Sequence, residues 1–431
     1  MWNFDTAEDT QIYEAGLASP AAILGVRLVI QYSNRDDPFI VPKSQLVGSE
    51  LNVLSQATNS SSFNLGSAFI DTLDINVELG APGIKGATKG VTQFTLEAGY
   101  GTTQDNIKYV PLGKYRMQDR ACSRKKGYYS LKLQSFMAAL DKNVPSKISV
   151  KGTVADLLAY ICTKVYVRNV ANPDKDQKLY LSTKMTKAYL NSLCNSDITF
   201  TITSDTGYTT YRDILKDIAA ISGCFATFDN DGGLLLVPFI NYTFEISGGL
   251  ANSIPQSQTI SFSENMDTFS VEQVRCVLSD EDGNETDYSY PEGENKEYNI
   301  DISSLRILSA LDQPDQAGTI ASSLYERISQ GTGYTPIPFE VQTANPDFRL
   351  RVGDWVEVTD IIKDDTGAYI KAKAQLMKIS YSIPGRCTYS SYQNPTQNDN
   401  NATYRSSYTP TGKSKGGTTV VDQTGQWHFN T

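Results

Sequence analysis

The sequence predicts an α+β protein that is mainly β: one β-rich domain on each side of an α+β middle domain, then an extended polar tail. Two-residue alternation of apolar and polar side chains recurs in the first and last thirds of the chain, the mark of half-buried strands. Between them, residues 209–239 read as a capped amphipathic helix followed by a β-hairpin. The 25 Tyr and 31 Gly residues, with few long helical patterns, fit a chain built from sheets.

Taken in order, the run GVRLVIQY turns Val26, Leu28 and Ile30 to one side, and Leu73, Ile75, Val77 and Leu79 alternate likewise. A polar stretch at 55–62 lies between them, and the glycine-rich loop GAPGIKGATKG precedes a third strand around Phe94 and Leu96. Residues 1–118 therefore read as a barrel or sandwich of antiparallel strands. A middle domain at 119–250 starts with a strand (Tyr129, Leu131, Leu133) running into a short helix with Phe136, Met137 and Leu140. Thr153 and Asp156 form a capping-box pattern ahead of Val154, Leu157, Leu158 and Ile161, so a helix follows. After a strand with Ile198, Phe200 and Ile202 comes the best-marked unit. Thr210 and Asp213 cap a helix whose Tyr211, Ile214, Leu215, Ile218 and Ile221 share a face, and Gly223 sits where a left-handed residue ends it. Two apolar runs around Asp229-Asn230-Asp231-Gly232-Gly233 then form a hairpin.

A second β domain covers 251–391. Ile260 and Phe262, then the run from Val271 to Leu278, read as strands, broken by an acidic stretch. One helix at 315–330 is introduced by Asp312-Gln313-Pro314, carries Ala317, Ile320, Ala321, Leu324 and Ile328 on its buried stripe, and ends at Gly331. Strands resume at Phe339 and Val341, at Trp355, Val356 and Val358, and, past a turn at Asp364-Asp365-Thr366-Gly367, at Leu376, Ile379 and Tyr381. Residues 392–431 are rich in Asn, Ser, Thr, Gly and Pro and read as an extended tail that docks on something else.

The bulk numbers exclude several classes of function. A chain of 431 residues has room for about three domains and needs no staples. Its 38 basic and 48 acidic residues give a net charge of −10, which disfavours a groove that must neutralise nucleic-acid phosphates. The six cysteines are far apart, without a CxxC pair, and read as reduced, mostly buried thiols. The acidic start MWNFDTAEDT lacks the order of a signal peptide, and no apolar run approaches the about 20 residues that span a bilayer. Neither secretion nor membrane insertion is expected.

The search for chemistry turns on histidine. The chain has 1, His428, in the polar tail, whereas a catalytic base needs a rigid support. That excludes a Ser-His-Asp triad, a Cys-His peptidase and an HExxH zinc site. Paired carboxylates of a glycosidase pass the count but carry no pattern. Asp229 and Asp231 lack the downstream Glu of a calcium loop and are explained by the hairpin turn. Asp280, Asp282 and Asn284, with Glu285 and Asp287 beyond, have the first spacings of such a loop without its final ligand, and a solvated hairpin loop is the simpler reading. The basic run Arg120, Arg124, Lys125 and Lys126 reads as a strand-to-strand loop able to meet an acidic surface. No nucleotide-binding glycine motif is present. No catalytic, cofactor or metal residue is therefore assigned, and no enzyme activity is expected.

Four segments, YVPLGKYRM (109–117), YYSLKLQSFMAALDK (128–142), TYRDILKDIAAISGCFATFDNDGGLLL (210–236) and FRLRVGDWVEV (348–358), occur in an order that resembles phage baseplate hub proteins. That family includes the N-terminal structural module of tail-associated lysins and the hubs of contractile tails and tailocins. The resemblance covers most of residues 20–390. It implies two antiparallel β-barrel tube-type domains flanking the α+β middle domain. It also implies a homotrimer that presents six barrels, matches a hexameric tail tube to a threefold tip and closes the tube until DNA ejection. Its implied partners are the distal tail protein, the tape measure protein, the tail tube and tip spike or fibre proteins, in a virion assembled in the host bacterial cytoplasm. DNA would pass an acidic lumen without specific binding. The lytic activity of tail-associated lysins is not carried over, because a short polar tail stands where their hydrolase follows. A carboxylate cell-wall hydrolase and a carbohydrate-binding tail adhesin are the competing expectations.

Overall fold

Most of the first β region, joined by the strand at 128–135 that the sequence reading places in the middle domain, folds as one antiparallel sheet that nearly closes on itself. The computed structural model describes residues 3–19, 21–32, 37–48, 51–57, 65–84, 91–168, 177–239, 253–254, 256–264, 271–279, 282–293, 299–329, 339–363, 369–391, 419–421 and 427–429. Ahead of the sheet lies a helix that the alternation does not predict, α1 (Ala7–Ala18), whose first turn is capped by Thr6 accepting from the Asp9 N–H at 3.0 Å. Then follow β1 (Ile23–Tyr32), β2 (Phe39–Pro42), β3 (Leu46–Val47), β4 (Leu51–Gln56), β5 (Thr72–Glu78), β6 (Val91–Gly101), β7 (Lys108–Arg124) and β8 (Tyr128–Ser135). The strand order is β2-β1-β6-β7-β8-β5-β3. Its two edges, β2 and β3, are joined by the single 3-10 turn Lys43–Gln45, which draws them together, so the sheet is barrel-like. Val26, Leu28, Ile30, Leu73, Ile75, Val77, Phe94 and Leu96 are buried, as their alternation predicts, whereas Leu79 lies just past the end of β5 and is half-buried.

The middle region mixes short strands and helices. After β8 the chain makes a 3-10 turn, Phe136–Asp141, where a short helix is expected; Val144 precedes Pro145, and the residue before a proline resists helical geometry. Next come β9 (Ser149–Gly152), α2 (Val154–Lys164), β10 (Tyr166–Arg168), β11 (Gln177–Lys178), α3 (Lys187–Asn191) and β12 (Phe200–Thr203). The unit ends with α4 (Tyr211–Ile221) and the hairpin of β13 (Cys224–Phe228) and β14 (Leu234–Pro238). Both predicted capping boxes form, Thr153 with Asp156 and Thr210 with Asp213. Gly223 takes the left-handed conformation at φ 66°.

The last β region contributes β15 (Ser253–Ile254), β16 (Thr259–Glu264), β17 (Gln273–Arg275), β18 (Val277–Ser279), β19 (Glu285–Asp287) and β20 (Asn299–Asp301). These are followed by α5 (Gln316–Ile328), β21 (Phe339–Thr343), β22 (Trp355–Lys363), β23 (Tyr369–Gln375), β24 (Lys378–Ile383) and β25 (Arg386–Ser390). A five-stranded sheet runs β16-β21-β25-β24-β4, beside a three-stranded sheet β15-β22-β23. Within residues 392–431 the described part is the hairpin of β26 (Thr419–Val421) and β27 (Trp427–Phe429). The 364–367 turn and Gly331 lie outside the described residues.

Four departures from the sequence reading stand out. Strand β4, which lies just ahead of the polar stretch and overlaps only its start, is the edge of the second sheet, with Val53 opposite Tyr381 and Ser55 opposite Ile379. Residues 306–328 lie outside the second sheet and pack on the middle unit, where Asp217 of α4 accepts the Ile307 N–H at 3.1 Å and Phe200 of β12 bridges Leu311. In α5 the buried stripe is the predicted one, but Asp315 occupies the cap position, while Asp312 reaches across to Lys151 Nζ at 2.6 Å and Thr201 Oγ1 at 2.8 Å. The Arg327 guanidinium of α5 donates to the Ser192 carbonyl at 2.6 Å. Finally, a register shift between Thr259 and Ser261 turns Ile260 outward, where it is 43% exposed.

Candidate functional site

A cluster of buried polar and aromatic residues lies where the three units meet. Tyr13 of α1 is fully buried; its hydroxyl accepts the Phe348 N–H at 2.9 Å and donates to Asp347 Oδ1 at 3.2 Å. Arg349 forks onto the Asp347 carboxylate at 2.7 Å, bonds Glu14 of α1 at 2.8 Å, and lies 4.9 Å above the Tyr13 ring. Burial works against the charge on Arg349, but Asp347 and then Glu14 outweigh it and its pKa is raised. Burial, then the Asp347 charge, pushes the Tyr13 phenol well above its ordinary range. Rings continue the contact: Tyr13 meets Tyr100 edge-on at 5.5 Å, Tyr100 stacks on Phe348 at 5.4 Å, and Phe348 packs on Tyr381 at 5.4 Å. Helix α1 thus fastens the first sheet to the second.

Two residues on, Arg351 performs the same service for the middle unit. Its guanidinium donates to Asn230 Oδ1 in the β13–β14 turn, to the Pro111 carbonyl of β7 and, at 2.7 Å, to the Leu350 carbonyl of its own segment. One planar fork therefore ties all three units together. Asn230 is held in place because Asp229 Oδ1 accepts from the N–H groups of Asp231 at 3.0 Å and Gly233 at 2.8 Å, closing the turn. Gly353 follows at φ 96°, and a Cβ there would come within 2.6 Å of Val237, so this motif glycine permits the close approach.

A cavity of about 560 Å³ opens at this junction, lined among others by Asp71, Tyr115, Phe228, Asn230, Arg351 and Trp355. Burial raises the Asp71 carboxyl to about 7, opposed by the Gln56 N–H, which it accepts at 3.4 Å. Burial, and then Asp71, raises the Tyr115 phenol. Of the other acids in the lining, Asp229 is committed to its turn and Asp354 Oδ2 to the Arg351 N–H at 2.8 Å.

The residues singled out from sequence are placed as follows. Asp229 and Asp231 form the hairpin turn just described. Asp280 lies outside the described residues; Asp282, Asn284, Glu285 and Asp287 belong to the exposed β18–β19 hairpin. Arg124, Lys125 and Lys126 form the exposed β7–β8 turn, whereas Arg120 lies inside β7 with its side chain outside the described part. His428 sits on β27, its side chain likewise undescribed. Five free cysteines are described, and burial raises the thiols of Cys162, Cys224, Cys276 and Cys387. Among the described residues no group of three or more His, Cys, Asp or Glu could hold a metal ion, and no helix is long and apolar enough to cross a membrane. The sequence reading missed Tyr13, Asp347, Arg349 and Arg351. Two signals pointed to them: Thr6 and Asp9 in N-capping spacing, and two arginines in the otherwise apolar FRLRV.

No family model and no curated protein matches the sequence. Among solved structures, the chain is similar to a tail protein from Neisseria meningitidis MC58, at 14% identity and TM-score 0.43, over 86% of this chain and 97% of that one. It is similar to the 43 kDa tail protein of prophage MuSo2 from Shewanella oneidensis, at 11% identity and TM-score 0.44, over 85% of this chain and 98% of that one. A third similar structure is the prophage tail protein gp18 from Listeria monocytogenes EGD-e, at 11% identity and TM-score 0.42, over 84% of this chain and 94% of that one.

Proposed function

We propose that this chain is a structural hub at the distal end of a phage tail or phage-like particle. In this reading it forms a trimeric ring that adapts the hexameric tail tube to a threefold tip and closes the tube until DNA ejection. The observation that carries the reading is the coupling of the two β units. Strand β4, which lies between β3 and β5 in the chain, is an edge of the second sheet; α1 fastens the two units through Tyr13 and Arg349, and Arg351 ties them to the middle unit. A rigid pair of sheets is what a symmetry adaptor requires, since three such pairs set side by side repeat a β unit six times around one axis. The ordered segments shared with baseplate hubs support it too: FRLRVGDWVEV and YVPLGKYRM meet at the Arg351–Pro111 hydrogen bond.

The partners follow from that position: the distal tail protein, the tape measure protein, the tail tube and a tip spike or fibre. The role is structural rather than enzymatic. Antibodies against this chain, visualised by gold labelling in electron micrographs of whole particles, are expected to mark the tail tip. Label confined to capsids or absent from intact particles would overturn the reading.

A further inference from the structure

We infer that the basic β7–β8 turn of one copy docks on the acidic β18–β19 hairpin of a neighbouring copy; the inference rests on the proposed ring and names the contact that closes it. Residues 108–135 carry eight basic side chains and one acidic, Asp119, in a chain whose net charge is −10. At the tip of this hairpin Arg124, Lys125 and Lys126 are consecutive and exposed, turned by Gly127 at φ 94°. No acidic side chain among the described residues lies within ion-pair distance of these three cations.

The opposite charge is gathered elsewhere. From residue 280 to 292 there are six acidic side chains and no basic one. The described part of this stretch is a two-stranded ribbon, β18 paired with β19, and residues 282–287 are all exposed. A two-stranded ribbon standing outside a larger sheet is marginal in water, and like charges crowded onto it weaken it further. The basic tip has the same difficulty with the sign reversed. Within the chain no ion pair among the described residues joins the two. Placed against each other between copies, they relieve both repulsions.

The geometry of association also favours a second copy as the partner. Two different patches of one chain that fit each other make a head-to-tail contact, and head-to-tail contacts generate rings when the rotation closes. One exposed ion pair contributes little, but three adjacent cations facing several carboxylates steer encounter and fix register. The contact therefore supplies orientation to a ring whose remaining area comes from the β units.

The test uses the full chain and sedimentation velocity at about 20 mM and about 0.5 M salt, which span weak and strong screening. The wild-type chain is expected to self-associate at least about tenfold more weakly at the higher salt. The variant R124E/K125E/K126E is expected to lose that association at low salt. A chain combining it with D282K/E285K/D287K, which turns residues 282–287 from three acidic side chains to three basic ones, should regain it. All six substitutions are at exposed positions, and circular dichroism checks that each variant folds. Unchanged association in the triple variant, failure of the combined variant to recover, or a wild type that is monomeric at every salt would each overturn the contact. A monomeric wild type that still labels at the tail tip would remove this contact and leave the hub reading standing.

Discussion

At the scale of single residues, the junction makes its own energetic demands. Asp71 faces the cavity with its carboxyl raised from 3.8 to about 7 by burial, so between those values the folded chain holds a proton that the unfolded chain has lost. Its influence on stability has a definite sign. Below about pH 4 the group is neutral in both states; as pH rises towards 7 the unfolded state gains by ionising, stability falls, and above 7 the loss is complete. Asp71→Asn removes the charge and keeps an oxygen for the Gln56 N–H, so thermal unfolding should show a higher Tm at pH 8 and little change at pH 4. An equal shift at both pH values would place the effect in packing instead. Arg351 makes the opposite demand, because its donors satisfy carbonyls of two units and the amide of a third. Arg351→Met should cost about 2 to 4 kcal/mol in urea unfolding, since acceptors are left without donors. Arg351→Lys should retain most of that loss, because a single ammonium cannot reproduce the fork.

At the scale of elements, the best-formed local structures are those whose information is local. Helix α4 has its cap, its apolar stripe and its terminating glycine within the consecutive residues 210–223, and each appears where the sequence places it. Thr210→Ala removes the oxygen that accepts from the Asp213 N–H and should destabilise by about 1 kcal/mol in the same assay. Helix α1 was not legible, because only Tyr13, Gly16 and Leu17 face inward and no continuous stripe announces it. Its importance comes from the long-range partners of Tyr13 and Arg349, which periodicity cannot reveal. Tyr13→Ala should therefore do more than lower stability. With the ring chain from Tyr13 to Tyr381 broken, calorimetry is expected to resolve two transitions where the native chain gives one. A single transition merely shifted downward would mean that α1 does not couple the two sheets.

At the scale of the whole molecule, the sequence carries the mainly β class and a β-rich first region, but it places the strand of Tyr129, Leu131 and Leu133 in the middle domain, whereas that strand, β8, completes the first sheet between β7 and β5, so the connections between units are legible only in three dimensions. Strand β4 shows why: residues 51–56 alternate like any short strand, and nothing in them says that Tyr381 and Ile379 are their neighbours. Helix α5 is similar, since its stripe was readable but its docking beside Ser192 depends on residues more than a hundred positions earlier. The Arg351 junction was half legible, for its motif stood out and the role of its guanidinium did not. These non-local ties join the two β units, and that joining is the basis for proposing a ring. The most direct test is the mass of the purified full chain in solution, measured by light scattering alone and with its tail partners. The account predicts a particle of three chains of 47.4 kDa each; a chain that stays monomeric even with those partners present would contradict it.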